Sequence, residues 1–404
     1  MTSRERVICA LNHEEADRVP IDFGAMRSTG ISAIAYNKLR KYLGISEGKT
    51  KMYDVLQQLA DPEEKICKLF HTDVVQLHRR EPSWCSIEKW KDGVLPDGSE
   101  CLVPETFDPV CDEKGNWRIY RGGVAVGLRL KNSLYFDYAY HPAENMETFD
   151  EIDTLPMPYI TDDELVYLRE QAKKLRESTD KAILGAFGGS IFEAGTQDFT
   201  HMSYFANLIE NPELIHYYNE KRTTAWLDNL SRYLKAVGEY IDVIQFCDDL
   251  GTQIDMQISP KMYREMLKPY HSRLYQYVRN NYPSVRVFLH SCGAITKVIP
   301  DLIDAGVQIL NPVQLTARDM NPVMLKREYG KELTFWGGGC NTSTTATNGS
   351  PLDVDNEVHE LINIFAPGGG FIFTQVHNIQ ANVPPENIVA IYKAADKYGK
   401  YPLN

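Results

Sequence analysis

The feature that most constrains this chain is an alternation that sets in after Asp150: short apolar runs, each ending in a polar residue or glycine, each followed by a segment of helical period. The runs cover 182–189, 242–249, 285–292, 307–312, 333–340 and 371–377. Helices are expected over 191–208, 211–238, 295–305, 320–328, 352–365 and 386–398, and from Ser259-Pro260, where serine caps and proline takes the first turn. Runs that are apolar at consecutive positions are buried on both faces, which is the mark of parallel strands covered by helices. Two earlier runs, at Asp17-Arg18-Val19-Pro20-Ile21-Asp22-Phe23-Gly24 and Asp73-Val74-Val75-Gln76-Leu77-His78, are set among helical segments at 3–12, 31–46 and 52–70. Strands near 20, 75, 184, 245, 288, 309, 335 and 373 make eight. That number predicts an α/β fold, a single (β/α)8 TIM barrel spanning 1–404, rather than an open doubly wound sheet. No strand runs into a Gly-x-Gly-x-x-Gly turn, so a dinucleotide site has no support.

Residues 82–142 break the pattern. Turn signals (Asp92-Gly93, Asp97-Gly98, Lys114-Gly115-Asn116) and aromatic residues replace helical period, which predicts a β-hairpin-rich insertion within the barrel domain. Its aromatics, Trp84, Trp90, Trp117, Tyr120, Tyr135, Phe136, Tyr138 and Tyr140, are expected to form mainly the insertion's own packing, with a pocket wall as the other reading.

A formal net charge of -12 with no Lys/Arg block argues against a nucleic-acid partner. The charged start, Met1-Thr2-Ser3-Arg4-Glu5-Arg6, and the lack of a long apolar segment predict a cytoplasmic protein with no membrane partner. Eight scattered cysteines without a Cys-x-x-Cys pair are expected to be thiols or metal ligands, not disulfides.

In a barrel of this kind, chemistry is built from strand C-termini. Here those ends carry Asp22, His78, Asp248 and Asp249, His290 and Cys292, Asn311 and Gln314, Cys340, and His377. His290 and Cys292, two apart at a strand end, point to the same face and form a bidentate metal grip. With Cys340 they make an N,S,S set with one open place, the arrangement of catalytic zinc; thiolates with imidazole favour Zn2+ over magnesium or calcium.

The chain resembles the uroporphyrinogen decarboxylase superfamily, in particular its zinc- and corrinoid-dependent methyltransferase branch, which includes the methylcobalamin:coenzyme M methyltransferases. The resemblance rests on Asp17-Arg18-Val19-Pro20, on His290-Ser291-Cys292-Gly293 with Ile299-Pro300-Asp301-Leu302, on Leu310-Asn311-Pro312-Val313-Gln314, and on Ala366-Pro367-Gly368-Gly369-Gly370 leading to Val376-His377-Asn378. It implies zinc held by a His-x-Cys pair, here His290 and Cys292, plus a later cysteine. Cys340 is the candidate for that third ligand and His377 the substitute, because in the coenzyme M enzymes the later cysteine lies near the last strand.

The implied reaction moves a methyl group between a small-molecule donor or acceptor (methyl ether, methanol type or thiol) and a corrinoid cobalt. No Asp-x-His-x-x-Gly corrinoid motif is present, so the cobalamin is expected on a separate corrinoid protein. Asp248 is read as a catalytic proton donor and His377 as a second catalytic group if it is not a ligand. Asp22, His78, Asp249 and Gln314 are read as substrate-binding, although Asp249 is equally explained as the cap of the next turn. The alternatives are a tetrapyrrole decarboxylase, disfavoured by a single arginine, Arg27, beside the first strand, and a non-catalytic zinc-stabilised docking subunit.

Overall fold

The computed structural model describes residues 1–403. Seven parallel strands lie side by side in the order Phe371–Ile372, Thr334–Trp336, Ile309–Asn311, Arg286–His290, Val243–Cys247, Ala182–Gly188 and Val74–Leu77. The eighth is a short extended segment at residues 20–22. Ile21 pairs in parallel with Phe373, and its carbonyl accepts the Asp73 N–H at 2.7 Å, so this segment joins the two ends of the sheet and closes the barrel.

Period two fixes what fills it. Val74, Ala182, Leu184, Val243, Phe288, Ile309, Trp336 and Ile372 point inward and pack with Ala25 and Met26. Val7, Ala10 and Leu11 of helix Ser3–Leu11 join the same cluster. Val287, Leu289, Ile244 and Phe246 point outward into the layer beneath the helices. Ser259 caps its helix through Met262 N with Pro260 in the first turn, as the sequence predicts.

Three expectations change. The predicted helix over 52–70 is two antiparallel strands, Lys51–Asp54 and Leu59–Asp61, before a short helix Glu64–Leu69. Asp54 Oδ1 accepts Gln57 N at 2.8 Å, Gln58 takes a left-handed φ of 55°, and Lys51 pairs with Leu102 of the insertion. That long-range pairing overrides the local apolar period. The helix expected over 191–208 is two helices, Phe192–Phe199 and His201–Glu210, broken at Thr200 with φ 72°. Asp92-Gly93 is not a turn but the middle of strand Trp90–Val94; the turns are at Gly98, Gly115 and Gly122-Gly123.

The insertion does form hairpins. Trp90–Val94 and Glu100–Pro104 extend the sheet begun by Lys51–Asp54, and Val110–Cys111, Trp117–Arg121, Val124–Arg129 and Asp137–Tyr138 make an antiparallel meander. All eight cysteines are free thiols. Among the described residues, no helix is long and apolar enough to cross a membrane.

Candidate metal centre

Because Phe288 is inward, His290 is inward two residues later, at the end of its strand and level with Cys247 and Asn311. Ser291 points the other way and is buried, its hydroxyl accepting Leu250 N at 3.2 Å. Cys292 then returns to the mouth, its Sγ 3.4 Å from His290 Nε2. The glycine that follows is required: Gly293 has φ 89°, and a Cβ there would come within 2.3 Å of the Gly251 carbonyl carbon.

The ligand atoms of His290, Cys292 and His377 lie within 4.8 Å of one another. The third member is thus His377, and Cys340 is outside the group. Trp336 is inward, but Gly337 and Gly338 take φ of 131° and 68°, so the alternation stops before it reaches Cys340. The Cys340 thiol instead lies buried against Glu357 Oε2 at 3.2 Å, and its backbone carbonyl accepts Val376 N at 2.9 Å, bracing the segment that carries His377.

Both imidazoles are set by an asparagine. Asn311 donates through Nδ2 to the Trp336 carbonyl at 2.7 Å, a partner that can only accept, so its Oδ1 faces His290 and takes the Nδ1–H at 2.6 Å. Ser28 Oγ donates to the same oxygen at 2.7 Å. Asn378 likewise donates to Gln57 Oε1 at 2.9 Å and turns its Oδ1 to His377 Nδ1 at 3.1 Å. Each ring therefore carries its proton on Nδ1 and offers the Nε2 lone pair, the arrangement by which supporting groups fix metal-ligand tautomers. Burial, with His290 beside it, lowers the His377 pKa to about 4, so that ring is neutral at physiological pH. Burial raises the Cys292 thiol pKa well above its ordinary range, with the Asp249 and Glu193 carboxylates adding to the effect. Two imidazoles and one desolvated thiol are a donor set that fits zinc.

The two aspartates divide the roles in reverse of the sequence reading. Asp248 is outward and fully buried. Its carboxylate accepts Ile191, Phe192 and Glu193 N–H groups at 2.9, 2.8 and 2.6 Å and His271 Nε2 at 2.8 Å, so it caps helix Phe192–Phe199 and has no lone pair free for substrate. Asp249, in phase with inward Val243, accepts Cys292 N at 2.8 Å and lies 3.6 Å from His290 Nε2. Gln314 Oε1 accepts Gly293 N at 2.8 Å. Asp22 is sealed among Ala25 N and Trp336 Nε1, and burial raises its pKa to about 6. His78 sits edge-on to Tyr53, 3.7 Å from Asp61. Neither Asp22 nor His78 lines the cavities described next.

Two chambers lie near the cluster. One, about 920 Å³, is lined by Cys292, His377, Gln314 and neutral residues such as Thr252, Gln253 and Asn382. The other, about 570 Å³, is lined by Asp249, Glu193, Phe192, Phe136, Tyr138 and His141 among others. Tyr135 lines both. No Lys or Arg is among the lining residues of either, and Arg27 is ion-paired with Asp54. Burial and the two nearby aspartates push the Glu193 carboxyl well above the usual range. The insertion's aromatics split: Trp84 stacks edge-on against Tyr138 and Arg129 lies over Trp117, while Tyr135, Phe136 and Tyr138 do wall the chambers. Asn378, which holds His377, and Tyr135, which lines both chambers, are absent from the candidate residues read from the sequence; the signals were Asn378 standing beside His377 in the motif and Tyr135 among the aromatics with a pocket-wall reading.

Comparison with known proteins bears on this arrangement. A methyltransferase from Methanosarcina mazei superposes with a TM-score of 0.62 at 17% identity, covering 98% of this chain and 99% of that one, and so shares the fold. An intracellular xylanase from Thermoanaerobacterium saccharolyticum matches at a TM-score of 0.34 and 12% identity, over 62% of this chain and 83% of its own. That likeness carries no argument. No curated protein matches the chain. The sequence pattern of uroporphyrinogen decarboxylase (URO-D) is met over residues 137–398, a stretch that holds the His-x-Cys pair, His377 and six of the eight barrel strands. With well over half its length so matched, the chain belongs to the uroporphyrinogen decarboxylase family.

Proposed function

We propose that this protein is a zinc-dependent methyltransferase that moves a methyl group between a small molecule and the cobalt of a corrinoid carried by a separate protein. The observation that carries the reading is the His290, Cys292, His377 cluster facing a roomy chamber, with both Nδ1 atoms tied to asparagine oxygens. A structural zinc is closed by four protein ligands, whereas three ligands beside a cavity favour catalysis over a docking-only role. Zinc, when bound, supplies a Lewis acid that keeps a thiol or alcohol in its anionic form, or weakens the oxygen–methyl bond of an ether.

The residues of the chain divide the remaining work. Cys292 and the two imidazoles hold the metal. Glu193, whose carboxyl is biased toward its protonated form, lends a proton to a leaving oxygen in the smaller chamber. Asp249 orients the Cys292 backbone and takes a hydrogen bond from the bound small molecule. The absence of Lys and Arg from both chamber linings argues against the decarboxylase reading, since a polycarboxylate tetrapyrrole would meet Glu193 and Asp249 with no counter-charge.

The test is direct. Purified protein should carry about one zinc per chain. Methylcobalamin with thiols, or cob(I)alamin with methyl donors, should show methyl exchange in the cobalamin spectrum that stops on chelation. Conversion of uroporphyrinogen to coproporphyrinogen by metal-free protein would overturn the reading.

A further inference from the structure

The two imidazoles are held by the same kind of chain, a hydroxyl on an asparagine on a histidine, but the second hydroxyl comes from an unexpected place. On one side Ser28, in the single helical turn Arg27–Thr29 that follows the barrel's first strand segment, donates to Asn311. On the other, Tyr135 reaches in from the insertion, more than 240 residues away in sequence, and its hydroxyl lies 2.8 Å from Asn378 Oδ1. Gln380 Nε2 donates to the Tyr135 oxygen at 2.5 Å, which turns the phenol O–H toward Asn378, and donates to Asn378 Oδ1 as well, so tyrosine and glutamine present donors to the same amide oxygen.

That direction acts with the Gln57 and Gln380 contacts of the same amide to set the state of His377. With Tyr135 donating, the oxygen of the Asn378 amide is the atom that suits the tyrosine side, and the same oxygen takes the His377 Nδ1–H. Were the amide reversed, its NH2 would face His377, Nδ1 would become the acceptor, and the proton would move to Nε2, where it blocks the lone pair a metal needs.

We infer that Tyr135 is a positioning residue for the metal centre: the insertion sets the tautomer of His377 through the Asn378 amide. This rests on the zinc reading above, yet the tautomer itself exists without metal. Tyr135 also lines both chambers, so the residue that fixes the imidazole is one a bound small molecule touches.

The experiment uses full-length protein with Tyr135→Phe, with Tyr120→Phe, an exposed tyrosine of the insertion, as control. Zinc affinity is measured by competition with a chromophoric chelator, and the His377 tautomer by 15N NMR of histidine-labelled, metal-free protein. Tyr135→Phe should weaken zinc binding about tenfold and convert a single Nδ1–H tautomer of His377 into a mixture. Tyr120→Phe should change neither. Placing p-aminophenylalanine at 135, which restores a donor, should recover both. Wild-type zinc affinity and an unchanged tautomer in Tyr135→Phe would overturn the inference. If Tyr135→Phe lowers the melting temperature of the metal-free protein, the comparison passes to p-aminophenylalanine against O-methyltyrosine at 135, which differ in the donor; equal affinities there also overturn it. Wild-type protein that takes up no zinc would remove the metal reading, while the tautomer measurement would still decide the role of Tyr135.

Discussion

The two arms of the metal centre are built alike and anchored differently. The His290 arm lies wholly within the barrel: Ser28 and Asn311 are buried, the histidine ends a five-residue strand, and its neighbours are paired on both sides. The His377 arm lies past the end of a two-residue strand, on a segment held by the Cys340 carbonyl, and its asparagine is shared with the insertion. The difference teaches that one ligand comes with the fold and the other depends on what decorates it. An insertion of different sequence could retune the second arm without touching the first.

The largest effect should come from the residue both arms share a metal with. Cys292→Ala should lose bound zinc and methyl exchange together, whereas Cys340→Ala should retain both, as measured by metal content of the purified variants. If Cys340→Ala also loses zinc, the arms do not meet where the geometry puts them.

Next, the two asparagines should separate affinity from stability. Asn311→Leu strands the Trp336 carbonyl and the Ser28 hydroxyl in the barrel interior, so it should cost about 2–4 kcal/mol in urea unfolding as well as zinc affinity. Asn378→Leu should weaken zinc by a similar 10–100-fold with a smaller loss of stability. Equal stability losses would erase the distinction between a barrel arm and an insertion arm.

The smallest effect is in pH. The folded-state pKa of His377 is depressed to about 4, below its value in the unfolded chain. At this site the unfolded state therefore binds more protons between about pH 6.5 and pH 4, so His377 contributes a loss of stability to the metal-free protein as pH falls through that window. The raised carboxyls of Asp22 and Glu193 act in the reverse sense and oppose it. The contribution of His377 alone should be on the order of 3 kcal/mol. His377→Asn should remove that contribution, read as a change in the slope of the urea midpoint against pH between wild type and variant.

Much of the architecture was legible because apolar runs at both parities leave little choice but a helix-covered parallel sheet. The His-x-Cys pair was legible for the same reason, as it keeps the phase of Phe288. The same phase, counted from Val243, would have sent Asp249 to the mouth and Asp248 to the helix layer, a signal present in the sequence and not used. Cys340 could not be placed this way, since two glycines in left-handed backbone erase the period just before it. Residues 52–70 misled because their partner strand lies in the insertion, and Tyr135 was hidden among eight aromatics of similar context.

The two chambers carry a kinetic consequence. Asp249 lies on the wall of one and Cys292 and His377 on the wall of the other, so a metal held by the cluster would face the larger chamber with the second beside it. Reactants held one in each chamber need not take turns. A steady-state study should then give intersecting double-reciprocal lines, the pattern of two reactants held at once, where a single shared chamber would force one to leave before the other arrived and give parallel lines.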